Sequence, residues 1–170
     1  MESLSWKQNG WNGRKYSIST TYGLVGKLDF RGWSGYDADF NSERISLTFR
    51  NKGWFQQEVT IRFSGEVVGK TDTSAFGTNY INLVSGERYK LKTKPFSSNR
   101  ILMDEGGNPV VRFDQEGFSG TNGTIAIHSE VPELTRLLLV ATGLYFKSVA
   151  DKRRAILIAI FMPLIMQMIR

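Results

Sequence analysis

The chain has no cysteine among its 170 residues, which excludes disulfides, thiolate metal sites and thiol catalysis. It has a single histidine, His128, too few for a histidine-rich metal centre. No serine beside it sits in a nucleophile elbow. The N-terminal run Met1-Glu2-Ser3-Leu4-Ser5-Trp6-Lys7 has no apolar core, so no secretory signal is expected. Alanine is scarce before residue 126 and nothing before residue 130 has a helical period. We therefore expect no enzyme, no metal and no cofactor.

What the chain does have is glycine, seventeen residues of it, and 12% aromatics, a composition that favours β-structure. Alternating polar and apolar residues mark Lys15 to Ser19, Tyr22 to Phe30, Ile45 to Arg50, Trp54 to Phe63 and Tyr80 to Val84 as half-buried strands. Arg88 to Lys92, Ile101 to Met103, Val110 to Phe113 and Gly123 to His128 extend the series. Gly65-Glu66-Val67-Val68-Gly69-Lys70 repeats the cadence of Leu24-Val25-Gly26-Lys27. Residues 31–44 read as a loop or short link. Nine or ten segments about ten residues apart imply an antiparallel sandwich or barrel.

The tail differs. Ser129 or Glu130 caps a helix, Pro132 suits its first turn and Glu133 complements its dipole. Leu134 to Phe146 is apolar almost all round, so protein or lipid must bury it. Its thirteen residues reach about 20 Å, short of the roughly 30 Å hydrocarbon core of a bilayer. It therefore reads as a central plug, over about 131–149, in a barrel domain of residues 1–149. Residues 150–170 read as a basic hinge, Lys152-Arg153-Arg154, and a second apolar helix from Ala155 to Ile169. That segment reaches about 22 Å, marginal for a span. Left in water it would be an aggregation hazard, so it needs a partner.

The net charge of +6 divides into +3 for residues 1–129 (16 Lys and Arg against 13 Asp and Glu) and +3 for residues 130–170 (6 against 3). The tail has the higher charge density and lies beside apolar sequence, which points to anionic membrane surfaces rather than nucleic acid.

The element order, with the Gly-Leu-Val-Gly-Lys and Glu-Val-Val-Gly-Lys cadences, the turn Asp104-Glu105-Gly106-Gly107-Asn108 and Pro132-Glu133-Leu134 leading into Leu137 to Tyr145, resembles the tubby C-terminal-like superfamily. That superfamily includes the LURP-one-related proteins and the phospholipid scramblases. The resemblance covers residues 6–149. It implies a barrel of about a dozen strands threaded by one hydrophobic helix, and a membrane-linked, lipid-binding role. No basic motif diagnostic of the family's lipid-binding residues is present, and the second apolar segment departs from the family's simplest layout.

Arg88, Lys90, Lys92 and Lys94 alternate along one strand face, either a headgroup site or the lysines of an edge strand that resists aggregation. The edge strand is the plainer reading. With Lys147, Lys152, Arg153 and Arg154 they are the candidate lipid-headgroup residues. Trp6, Trp11, Trp33 and Trp54 are core residues or interfacial anchors. Asp37-Ala38-Asp39-Phe40-Asn41 opens like a calcium loop, but Ser42 replaces the required glycine and Thr48 the bidentate glutamate, so an acidic turn is expected. Asp104 and Glu105 read as turn residues, residues 117–123 as a hairpin loop, and His128 as structural or solvent-facing.

The expectation is a non-enzymatic barrel at the cytoplasmic face of a membrane, binding lipid or scaffolding through its tail. The alternatives are an enzyme or small-ligand carrier built on an up-and-down barrel with the ligand inside, and a subunit that docks the tail on a protein partner or a second copy.

Overall fold

The computed structural model describes residues 2–10, 12–32, 36–52, 58–73, 78–93, 99–117 and 120–168, without the side chains at 93, 154, 156–158, 160, 161, 164–166 and 168. Twelve antiparallel strands close into a barrel. They are β1 (Glu2–Asn9), β2 (Lys15–Thr20), β3 (Gly23–Arg31), β4 (Asp37–Ser42), β5 (Ser46–Lys52), β6 (Glu58–Phe63), β7 (Glu66–Thr73), β8 (Asn79–Leu83), β9 (Arg88–Thr93), β10 (Arg100–Met103), β11 (Pro109–Gln115) and β12 (Asn122–Ile127). Each strand pairs with its sequence neighbours, and β1 pairs with β12 to close the ring. The closure leaves no edge strand.

Two strands go beyond those expected from alternation. β1 places only Leu4 and Trp6 inward in a polar octet. β4 occupies the segment read as a link, and the Asp-x-Asp-x-Asn run is a strand rather than an acidic turn. Ala38 and Phe40 are buried there in alternation with Asp39, whose carboxylate meets Arg31 at 2.5 Å and Arg50 at 3.1 Å from the two flanking strands. Cross-strand ion pairing holds a residue of poor strand propensity in the wall.

A second correction concerns the tail. Residues 133–168 form one helix, α1 (Glu133–Met168), not a plug followed by a separate helix. The expected hinge has no helix breaker, since Asp151, Lys152, Arg153 and Arg154 carry no glycine or proline between them, and the helix continues through Pro163.

The helix passes through the barrel. In a ring of twelve, β5 and β11 face each other, and α1 touches both. Tyr145 stacks on Phe49 of β5 with centroids 4.9 Å apart. A Cβ on Gly143 would lie 2.3 Å from the ring of Phe113 on β11. Only glycine permits that approach. The helix therefore leans on β10 and β11, and its buried stretch runs without interruption from Leu137 to Val149. Inward residues such as Ile18, Leu28, Phe40, Leu47, Ile61 and Ile81 close around it as one core. Along this buried stretch the helix occupies the centre of the barrel, where a carried ligand would otherwise lie.

The wall also repeats itself. In the hairpins β2–β3, β6–β7 and β10–β11 the register shifts by one residue, leaving Val25, Val68 and Val110 as the extra residues. Val25 and Val68 are 43 positions apart, Val68 and Val110 are 42 apart. The repeated cadence in the sequence is this repeated bulge, which bends the strand and helps the sheet to curl.

Candidate functional site

The alternating strands give the barrel two mouths of different composition. The helix enters at one, beside the start of β1 and the β4–β5 turn, and leaves at the other, beside the β3–β4 connection. At the entry mouth Glu133 pairs with Arg44 and Arg136, and Arg136 also pairs with Glu2. At the exit mouth the hydroxyl of Tyr145 donates to the carbonyl of Tyr36 at 2.7 Å, and the Tyr145 ring also stacks on Phe30 at 5.5 Å. Burial, followed by the negative charge of Asp37, pushes the Tyr145 hydroxyl far above its usual range. It therefore serves as a donor.

Two residues further along the helix, Lys147 is 1% exposed, its ammonium 2.6 Å from the carboxylate of Asp151 and 4.1 Å from the centre of the Trp6 ring. A charge this deep is sustained by a partner four residues on and by the negative face of an indole. Lys152 follows at the rim, its ammonium 3.6 Å over the Phe30 ring. Burial, with repulsion from Arg14, lowers its pKa to about 8. Arg153 is exposed, and beyond it the described side chains of Ala155, Ala159, Met162, Pro163 and Gln167 are exposed as well. The helix leaves the protein carrying a segment, Ala155 to Met168, whose single polar residue is Gln167. Among the described residues no helix is long and apolar enough to cross a membrane.

The connections at the two mouths differ in the same sense. Those joining strands at the exit mouth are residues 10–14, 32–36, 53–57, 74–78, 94–99 and 116–121, and every one contains an aromatic residue in sequence. Trp11, Trp54 and Phe96 stand 43 and 42 positions apart, and so do Trp33, Phe76 and Phe118. The aromatics follow the same repeat as the bulges. At the entry mouth the connections are residues 21–22, 43–45, 64–65, 84–87, 104–108 and 128–132, and Tyr22 is their one Phe, Trp or Tyr. They carry five acids, Glu43, Glu87, Asp104, Glu105 and Glu130, against Arg44.

The candidate basic residues fall in three places. Arg88, Lys90 and Lys92 are exposed on the outer wall, with the Arg88 guanidinium 4.3 Å and the Lys90 ammonium 5.9 Å from the centre of the Tyr80 ring. β9 lies between β8 and β10, so these are not edge-strand lysines. Lys147 is inside the barrel rather than at a headgroup-facing surface. Lys152 and Arg153 are at the exit mouth. Lys94 and the side chain of Arg154 lie outside the described residues, as do Trp11, Trp33 and Trp54, while Trp6 is a core residue.

His128 is exposed and its backbone NH donates to Val110. Asp104 accepts from the Asn108 NH at 2.8 Å, a turn whose hydrogen bonds hold its carboxyl below the usual range. Arg14 and Phe30 were not among the candidate site residues, Phe30 being read only as part of a half-buried strand, although both lie beside Lys152. The spacing of the aromatics would have found that mouth. Comparison of the chain with protein-family models, with curated proteins and with solved structures finds no match in any of the three.

Proposed function

We propose that the protein is a non-enzymatic, membrane-associated barrel that rests its exit mouth on the cytoplasmic surface of a membrane and inserts the emerging segment of α1 among the lipids. The observation that carries this reading is the course of the helix, which leaves the filled barrel with an apolar segment exposed beside Lys152 and Arg153. Each large apolar side chain moved from water into the acyl region stabilises the bound state by about 1.5–3 kcal/mol. Basic residues at the phosphate level add about 1 kcal/mol each on an anionic surface. Aromatic residues in every connection of that mouth fit the interfacial zone, where tryptophan is favoured.

The proposed mode is insertion of the apolar residues from Ala155 to Met168 into the interfacial zone. The likeness to the tubby-like barrels belongs to this proposal and rests on the repeated Gly-Lys cadences, the Asp104 to Asn108 turn and Pro132-Glu133-Leu134 leading into Leu137 to Tyr145. Flotation with phosphatidylcholine vesicles containing phosphatidylserine tests the reading. The full chain should rise with the vesicles and a chain ending at residue 154 should stay behind. A full chain that remains at the bottom of the gradient would overturn it. If it then eluted as a complex in detergent-free buffer, the segment would be docking on protein.

A further inference from the structure

Because α1 leans on β10 and β11, the entry mouth is left open on the other side of the helix, with cavities of about 240 and 190 Å³. The charges there are mixed, Arg44 and Arg136 beside Glu2, Glu43 and Glu133, and such a mixture selects no charged partner.

The exit mouth differs on the side formed by the β1–β2 connection, β3, β4 and α1. Its carboxylates are engaged. Asp39 pairs with Arg31 and Arg50, and Asp151 with Lys147. Asp37 accepts from the backbone NH of Asn51 at 2.9 Å, and Asp29 stands in register with Lys15. Arg153 lies with Asp37 near the Tyr145 hydroxyl. Arg14, by contrast, is exposed and forms no ion pair among the described residues, and the charge that bears on Lys152 is the like charge of Arg14.

Phe30 brings these two cations together. Its backbone NH donates to the Arg14 carbonyl at 2.7 Å, and the Lys152 ammonium lies 3.6 Å over its ring. The Arg14 NH also donates to the side-chain oxygen of Asn12 at 3.2 Å, and the Phe30 ring packs against Tyr16 and Tyr145. One buried strand residue thus fixes a cation from a strand connection and a cation from the helix at the same point of the rim. Their repulsion costs free energy that an anion between them would relieve. Lys152 is half-buried, so solvent screens it less than a surface lysine. With a pKa of about 8 it still carries its proton at pH 7.

An arginine fork fits two oxygens of one phosphate, and a lysine ammonium supplies a point charge to a third. Two positive charges match a phosphomonoester, which bears roughly −1.5 to −2 at pH 7, better than a singly charged phosphodiester or carboxylate. We propose that Arg14 and Lys152 hold the phosphate of a phosphomonoester at the rim of the exit mouth. Assigning that phosphate to a lipid headgroup rests on the membrane reading above, because Lys152 stands where α1 leaves the barrel. The phosphate site itself does not rest on it.

Two titrations of the full chain separate the sources. The first uses phosphatidylcholine vesicles carrying either phosphatidate or phosphatidylserine, matched in surface potential. Phosphatidate vesicles should bind about tenfold tighter, the worth of one charge-assisted hydrogen bond. Arg14→Gln and Lys152→Gln should each abolish that preference, and Lys15→Gln, at the exposed cation next to Arg14, should preserve it. The second uses inorganic phosphate without vesicles, followed by calorimetry. Binding there that Arg14→Gln weakens about tenfold, with no preference for phosphatidate, would support the site with a soluble phosphate as its ligand. A chain that ignores both kinds of vesicle would remove the membrane reading, and the second titration would still decide the site. Equal binding of the two vesicles without binding of inorganic phosphate would overturn the proposal, as would an Arg14→Gln chain that matches the parent in both titrations.

Discussion

The two mouths of the barrel are held by different physics. At the entry mouth α1 is tied to the wall by ion pairs between solvent-exposed groups, Arg44 at 63% and Glu133 at 41% side-chain exposure. At the exit mouth it is tied by the buried Lys147 ammonium over the Trp6 ring, a tyrosine clamped between two phenylalanines, and a hydrogen bond into the β3–β4 connection. The entry can therefore adjust at little cost, and the exit is rigid. Rigidity belongs where the helix must leave at a fixed angle and carry its apolar segment out. Adjustability suits a mouth with open cavities. The sharpest way to break this comparison is to remove charges at each end in turn.

Asp151→Asn should have the largest effect. It leaves the ammonium of Lys147 buried without its carboxylate, which costs about 3 kcal/mol and lowers the melting temperature by on the order of 6–12 °C. The second change Lys147→Met should restore most of that loss, because a methionine keeps the apolar stem and removes the charge. A thermal melt of the single and double variants decides the point. A single variant as stable as the parent would mean that the pair is solvated.

Tyr145→Phe keeps the stacked rings and removes only the bond to the Tyr36 carbonyl, so a loss of about 1 kcal/mol is expected from denaturant titration. Arg44→Gln at the entry mouth should cost less, about 0.2–1 kcal/mol, and the difference from the parent should shrink in high salt. If it cost as much as Asp151→Asn, the contrast between the mouths would fail.

Much of the barrel was legible because its inward residues alternate, as in Ile45 to Arg50, and because turns such as Asp104 to Asn108 are short and polar. β4 was not legible, since Asp37, Asp39 and Asn41 are poor strand formers, and the arginines that hold Asp39 stand on neighbouring strands, 8 and 11 positions away. The continuity of α1 was hidden by charge. Lys152-Arg153-Arg154 read as a hinge, yet Lys147 and Asp151 just before it stand four apart as an intrahelical pair, and only the barrel shows that the Lys147 end of that pair is inside. The basic stripe on β9 was found as a face, but its place in the outer wall rather than at an edge depends on β9 pairing with both β8 and β10.

The smallest effect tests the exit mouth most finely. Lys152 has a folded pKa of about 8 against 10.5 for the unperturbed group, first through burial and then through Arg14. Below pH 8 both folded and unfolded chains hold the proton, and the folded state bears the cost of a partly desolvated charge. From pH 8 towards 10.5 the unfolded chain keeps that proton while the folded chain releases it, so stability rises with pH in this window. The group is partly solvated, which limits the gain to a few tenths of a kcal/mol. Buried tyrosines act in the opposite sense, since Tyr16 and Tyr145 have raised pKa values and unfolding would release their protons near pH 10. The comparison should therefore stop near pH 9.5. Lys152→Met should be slightly more stable than the parent at pH 7, and the two should converge by pH 9.5. Parallel curves would mean that Lys152 is fully hydrated. In that case the exit mouth would be as open to water as the entry.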